Sequence, residues 1–198
     1  MDPQWFHITC HTYGAWLHGD PKSFRTRHRR EHIIGDYKNP PPPEMYAAKL
    51  ARSRALLKQE PVRLEPKWWP IIGAAVKDRL VEPGTELLIL SMGATHLHLL
   101  GKMPPGPVPR EWVGRAKLYS NFKAKEQGWT GKLWAVRGKV IPIENRKHQV
   151  NTFNYIEGHL KEGAWVHSFR DPDHTRMSLG PLESPGTAVP GLSEGERR

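Results

Sequence analysis

The chain has 198 residues, enough to bury a proper core, and carries 30 Lys and Arg against 20 Asp and Glu, a net charge of +10. Its single cysteine, Cys10, excludes an internal disulfide and a cysteine-rich zinc knuckle. No apolar run approaches the roughly 20 residues needed to span a bilayer, and Met1–Trp5 lacks the charged head and apolar stretch of a signal peptide. A cytoplasmic, nucleoid-associated protein is therefore expected, with no membrane partner. The positive balance suggests a polyanionic partner, because each neutralised phosphate releases counterions.

The first expected strand is Trp5–Tyr13, whose alternation sets His7, Thr9 and His11 on one face and Phe6, Ile8 and Cys10 on the other. Residues 14–64 read as an excursion. It holds a basic cluster with Arg25, Arg27, Arg29 and Arg30, and a Pro40–Pro43 tract unsuited to helix interior or central strand. A short helix is expected from Glu44 to about Gln59. A clearer one follows Pro66, with Ile72, Ala75, Val76 and Leu80 at helical spacing. After the Pro83-Gly84 break, Leu87–Met92 and His96–Met103 form a hairpin around Gly93-Ala94-Thr95.

A helix over Arg110–Gln127 follows, with Trp112, Ala116, Tyr119 and Phe122 expected on one side. Lys139–Ile143 reads as a strand, and Pro142 favours an edge position. A last helix runs from about Arg146 to Gly163. On a wheel of ~100° per residue, Val150, Phe153, Ile156, Leu160 and Ala164 share a face, with Tyr155 and His159 stacked well away from it. Residues 171–198 are poor in apolar side chains and read as a disordered tail after a domain spanning 1–170. The order strand, helix, strand, strand, helix, strand, helix is the α+β ferredoxin-like βαββαβ plan plus a terminal helix, with helices on one face of an antiparallel sheet and the tyrosine on the added helix. That plan sets the first strand beside the third, so His7, Thr9 and His11 adjoin His96 and His98 if both faces point the same way.

His96 and His98, one residue apart on a strand, share a face and make half of a metal site. Together with Leu133-Trp134, the strand near Lys139 and Tyr155-Ile156 on the final helix, the His96-Leu97-His98-Leu99-Leu100 segment resembles the single-tyrosine transposases of the HUH endonuclease superfamily, including their REP-associated branch. The resemblance spans roughly Trp5–Trp165, omitting the excursion.

It implies that His96 and His98 bind a divalent metal ion, Mn²⁺ or Mg²⁺, and that Tyr155 is the nucleophile forming a 5′-phosphotyrosine. Members usually place Gln or Asn four residues after the tyrosine as a third ligand; this chain has His159. An all-imidazole set is softer and favours Mn²⁺ or another transition ion over Mg²⁺. A tyrosine hydroxyl, with pKa near ~10, needs help to act as a nucleophile, and Glu162 is a candidate for its proton. The expected partner is single-stranded or hairpin DNA, contacted through Arg25, Arg27, Arg29, Arg30, Lys117, Lys123, Lys132 and Arg137. Trp16 and Trp129 are candidate base-stacking platforms. A homodimer sharing its sites between subunits is one arrangement the resemblance allows.

Two other classes compete. A transposase-derived protein that only binds DNA fits the His159 departure and the acquired excursion. A two-histidine phosphoesterase would carry paired His-x-Thr/Ser motifs. His7-Ile8-Thr9 is one such motif, but the second copy would fall on His96-Leu97-His98, where a histidine replaces the hydroxyl.

Overall fold

The computed structural model describes residues 4–20, 43–106 and 108–177. Strand β1 (Gln4–Thr12) leads through a 3-10 turn (Pro43–Tyr46) and α1 (Ala47–Ala55) to α2 (Trp68–Val81). The hairpin β2 (Glu86–Met92) and β3 (His96–Met103), helix α3 (Pro109–Glu126), strand β4 (Trp134–Pro142) and helix α4 (Arg146–Gly158) follow. A 3-10 turn (His159–Glu162) then leads to β5 (Trp165–Ser168) and β6 (Asp171–Met177). The strands form one antiparallel sheet in the order β4-β1-β3-β2-β5-β6. Its first four members reproduce the ferredoxin-like plan, with Pro142 on the edge strand as expected.

Alternation along the strands divides the protein into two cores. Ile8, Cys10, Leu97 and Leu99 face α2 and α3, where they meet Ile72, Val76, Leu80, Trp112 and Ala116. On the other face Ile89, Leu100 and Val166 meet Phe153 and Ile156 of α4. Helix α4 packs on β2 and β3. The excursion returns into the first core through Val62 and Leu64, both buried. This return strap is tied down by backbone bonds from Val62 N to Tyr13 O (2.7 Å) and from Leu64 N to Ala94 O (2.7 Å).

Several boundaries differ from the sequence reading. Helix α4 stops at Gly158, and Gly163, at φ 83°, ends the 3-10 turn in the left-handed region that glycine tolerates. The chain can therefore turn back into β5, whose four residues are too few to show a period. Trp165 of β5 packs directly on Gly73 of α2, where a Cβ would lie 2.3 Å from the indole ring. Residues 171–177 form β6 beside β5, where a disordered tail was expected; the rest of that tail, 178–198, lies outside the described residues.

The buried stripe of α3 is Trp112, Val113, Ala116, Lys117, Ser120 and Ala124, while Phe122 is exposed. Two polar side chains occupy this stripe because each finds a partner there. Ser120 Oγ accepts the indole N–H of Trp134 at 3.0 Å, and Lys117 reaches β4. Strand β4 begins at Trp134, five residues before the expected start. Its pairing with β1 runs from Cys10↔Gly138 to Thr12↔Trp134, so β4 carries extra residues there and bulges. Lys117 Nζ donates to the carbonyls of Ala135 and Val136 within that bulge.

Candidate active site

Pairing of β1 with β3 in the register Thr9↔His98 and His11↔His96 puts both histidines of β3 beside those of β1. The α4 side of the sheet carries them. Phe153 and Ile156 anchor α4, and this leaves Tyr155 and His159 at the edge of the covered area, over the β3 histidines. The Asn145 side chain caps the start of α4 by accepting the His148 backbone N–H at 2.9 Å.

His96, His98 and His159 each offer a ring nitrogen, and these atoms all lie within 4.8 Å of one another. The His98 and His159 rings stack at 5.0 Å with an interplanar angle of 3°. The second nitrogen of each ring is engaged by a neighbour. His98 Nδ1 lies 3.0 Å from Thr9 Oγ1 and 3.2 Å from His7 Nε2. His96 Nδ1 lies 3.0 Å from Thr95 Oγ1, and His159 Nδ1 lies 3.1 Å from Glu162 Oε2. With Nδ1 held from outside, Nε2 is the atom each ring has left to give, the arrangement found around metal-ligating histidines.

His159 Nε2 is buried without a hydrogen-bond partner. An orphaned imidazole nitrogen aimed at two others fits a bound cation, so the three residues suit a divalent metal with further coordination positions left for substrate. Tyr155 stands beside them. Its ring centroid is 5.3 Å from His98 and 4.9 Å from His159, edge to face in both cases.

The electrostatics agree with a site prepared for positive charge. Burial, followed by Lys139, His148 and His159, lowers the His7 pKa to about 4. His96 is lowered to about 4, mainly by burial and then by His11 and His159, against the opposing pull of Glu162. His98 falls to about 2, again mainly by burial and then by the surrounding histidines. All three rings are thus neutral near pH 7 and keep their lone pairs. Tyr155 is raised by burial and by the Glu162 charge, so the protein's own groups do not make its phenolate.

The candidate DNA contacts scatter. Arg25, Arg27, Arg29 and Arg30 lie outside the described residues. Lys117 is buried and committed to the β4 bulge, so it cannot reach a phosphate. Lys123 belongs to α3, on the opposite face of the sheet from the histidines, and pairs with Glu126 at 2.9 Å. Lys132 sits over the Tyr13 ring, 5.3 Å from its centroid. Arg137 is exposed on edge strand β4. Trp129 is half-buried, edge to face with Trp68 at 5.2 Å and packed against the core, and lines none of the cleft beside the histidines, while Trp16 is partly exposed beside His18. Glu162 is engaged by His159 instead of by the tyrosine.

The sequence reading assigned His7 and Thr9 a role only in the phosphoesterase alternative, and assigned none to His11, Thr95 and Lys139. Lys139 lies opposite Thr9 in register and so on the histidine face. The His7-x-Thr9 alternation was the available signal. Both of its polar side chains approach His98 Nδ1 from the neighbouring strand.

No family model matches the chain, and no curated protein matches it. Among solved structures, a REP-associated tyrosine transposase bound to a REP hairpin is similar over 82% of this chain and 70% of that one. The identity is 12% and the TM-score 0.45.

Proposed function

We propose that the protein is a metal-dependent transesterase acting on single-stranded or hairpin DNA, of transposase type. Tyr155 is the nucleophile, and His96, His98 and His159 are the metal ligands. The observation that carries this reading is the convergence of three imidazoles, one with an orphaned buried nitrogen, beside the Tyr155 ring. A divalent cation bound there would polarise a non-bridging phosphate oxygen and bring the scissile phosphate to the tyrosine.

The chain's own residues do the rest. The Tyr155 oxygen bonds to phosphorus as the bond from phosphorus to the 3′ oxygen breaks. The phenolic proton ends on that leaving oxygen. The products are a 5′-phosphotyrosine and a strand with a free 3′-hydroxyl. One phosphodiester replaces another, so the same site can run the step backwards onto a new 3′ end. Thr9, His7, Thr95 and Glu162 hold the imidazoles in place, and exposed Lys139 gives the histidine face a positive charge for the strand, with Arg137 exposed two residues before it on β4.

The test is incubation with single-stranded oligonucleotides and Mn²⁺. A covalent protein–DNA adduct should form in the wild type and vanish in Tyr155→Phe, with oligonucleotide affinity kept within about threefold. Tight DNA binding with no adduct under any divalent metal would favour the binding-only alternative.

A further inference from the structure

A cleft of about 570 Å³ opens beside the triad, within the ~300–1,000 Å³ range of sites that enclose a small ligand. One wall is the 63–66 strap with Trp69, and the other is His96, His159 and Glu162. Tyr155, His98 and His7 do not line it. The cleft therefore lies to the side of the triad away from the tyrosine.

Its wall is a built structure. Thr12 Oγ1 donates to Val62 O at 2.6 Å, and the Trp69 indole N–H donates to Leu64 O at 3.2 Å. These bonds add to those that Val62 and Leu64 make to Tyr13 and Ala94. Arg63, between two buried neighbours, is exposed and lines the cleft. The acids beside it are engaged, Glu65 with Lys67 at 2.8 Å and Glu162 with His159. Among the described residues Arg63 makes no ion pair. The cleft thus combines Pro66, the Trp69 indole and one guanidinium without an ion pair among the described residues, beside two carboxylates that are each engaged by a neighbour, a set that can take a base and a phosphate.

Displacement at phosphorus runs in line, with the attacking and leaving oxygens on opposite sides. With Tyr155 attacking from one side of the triad, the leaving 3′ oxygen and its nucleoside belong on the other. We propose that this cleft receives the nucleotide on the 5′ side of the scissile phosphate, its base against Trp69 and the strap, with Arg63 pairing to that strand's backbone. The assignment rests on Tyr155 being the nucleophile. The return of the excursion then has a purpose, because the strap builds the subsite that holds the released 3′ end.

The experiment uses metal-free, full-length protein and a 5′-fluorescein oligonucleotide ending in 3′-terminal 4-thiothymidine. Photocrosslinks should map by mass spectrometry to residues 61–69. Arg63→Ala and Arg63→Glu, both changes at an exposed position, should weaken binding roughly three- to tenfold and lower the salt slope by about one. Crosslinks confined to β1 and β4, or unchanged affinity in both variants, overturn the assignment. The adduct assay is run in parallel. An adduct on Tyr155 without crosslinks in the cleft sinks this subsite alone. Crosslinks in the cleft without any adduct under any divalent metal sink the transesterase reading and the leaving-nucleotide assignment with it, leaving only a cleft that binds a strand end.

Discussion

His7 Nε2 lies 3.2 Å from His98 Nδ1, and Thr9 Oγ1 approaches the same nitrogen at 3.0 Å. A ring that ligates through Nε2 carries its proton on Nδ1, and that proton has two acceptors on the adjacent strand. Removing such outer partners commonly costs 10–100-fold in metal affinity. The double variant His7→Phe/Thr9→Val should therefore bind Mn²⁺ at least about tenfold more weakly by calorimetry, with each single variant in between. Wild-type affinity in the double variant would mean that the β1 side chains do not position His98.

The three-imidazole set also predicts metal choice. Soft nitrogen ligands favour transition ions over Mg²⁺. Calorimetry should give tighter binding of Mn²⁺ than of Mg²⁺, and adduct formation should follow the same order. His159→Gln exchanges an imidazole for an amide oxygen and should narrow the gap by about tenfold, mostly through loss of Mn²⁺ affinity. Equal or better activity of the wild type with Mg²⁺ would sink this expectation.

Acid should weaken the metal-free fold by way of the same residues. His7, His96 and His98 have folded-state pKa values below the ordinary 6.5, at about 4, 4 and 2. Between pH 6.5 and about 4 the unfolded chain binds protons at these positions while the folded chain does not. The stability they contribute is complete above about pH 6.5 and is lost as pH falls through 4. Thermal melts of metal-free protein should show a midpoint that drops from about pH 7.5 to about pH 5. The drop should be smaller in His98→Leu. A midpoint independent of pH over this interval would contradict the buried, neutral state of these rings.

Lys117 offers a direct contrast between a structural and a DNA-binding cation. Lys117→Met strips the carbonyls of Ala135 and Val136 of their donor and should cost about 1–3 kcal/mol in chemical denaturation. Oligonucleotide affinity and its salt slope should stay unchanged. Unaltered stability with weakened DNA binding would restore Lys117 as a phosphate contact.

Much of this arrangement was legible because it depends on periodicity. The period-2 pattern grouped His7, Thr9 and His11 on one face of β1 and His96 and His98 on one face of β3, their coincidence coming only with the register, and the 3.6-residue pattern of α4 separated Tyr155 and His159 from Phe153 and Ile156. Lys117 was misread and Ser120 passed over because burial of a polar side chain depends on a partner elsewhere in the chain, here a bulged strand and the Trp134 indole. The strap at Val62 and Leu64 was missed for a related reason. Its anchors, Tyr13 and Ala94, are distant in sequence, and three residues carry no period. Strand β5 is legible only once Gly73 is known to make room for Trp165.

The bulge in β4 reaches beyond the placement of Lys117. An outermost strand with a free row of amides and carbonyls is a template on which another polypeptide can zip. Here two successive carbonyls are already capped from within by an ammonium group, Pro142 has no N–H to give, and Arg137 and Lys139 set like charges along the rim. An incoming β-strand would find the ladder interrupted after a few rungs. That border of the sheet is thereby a poor template for strand addition.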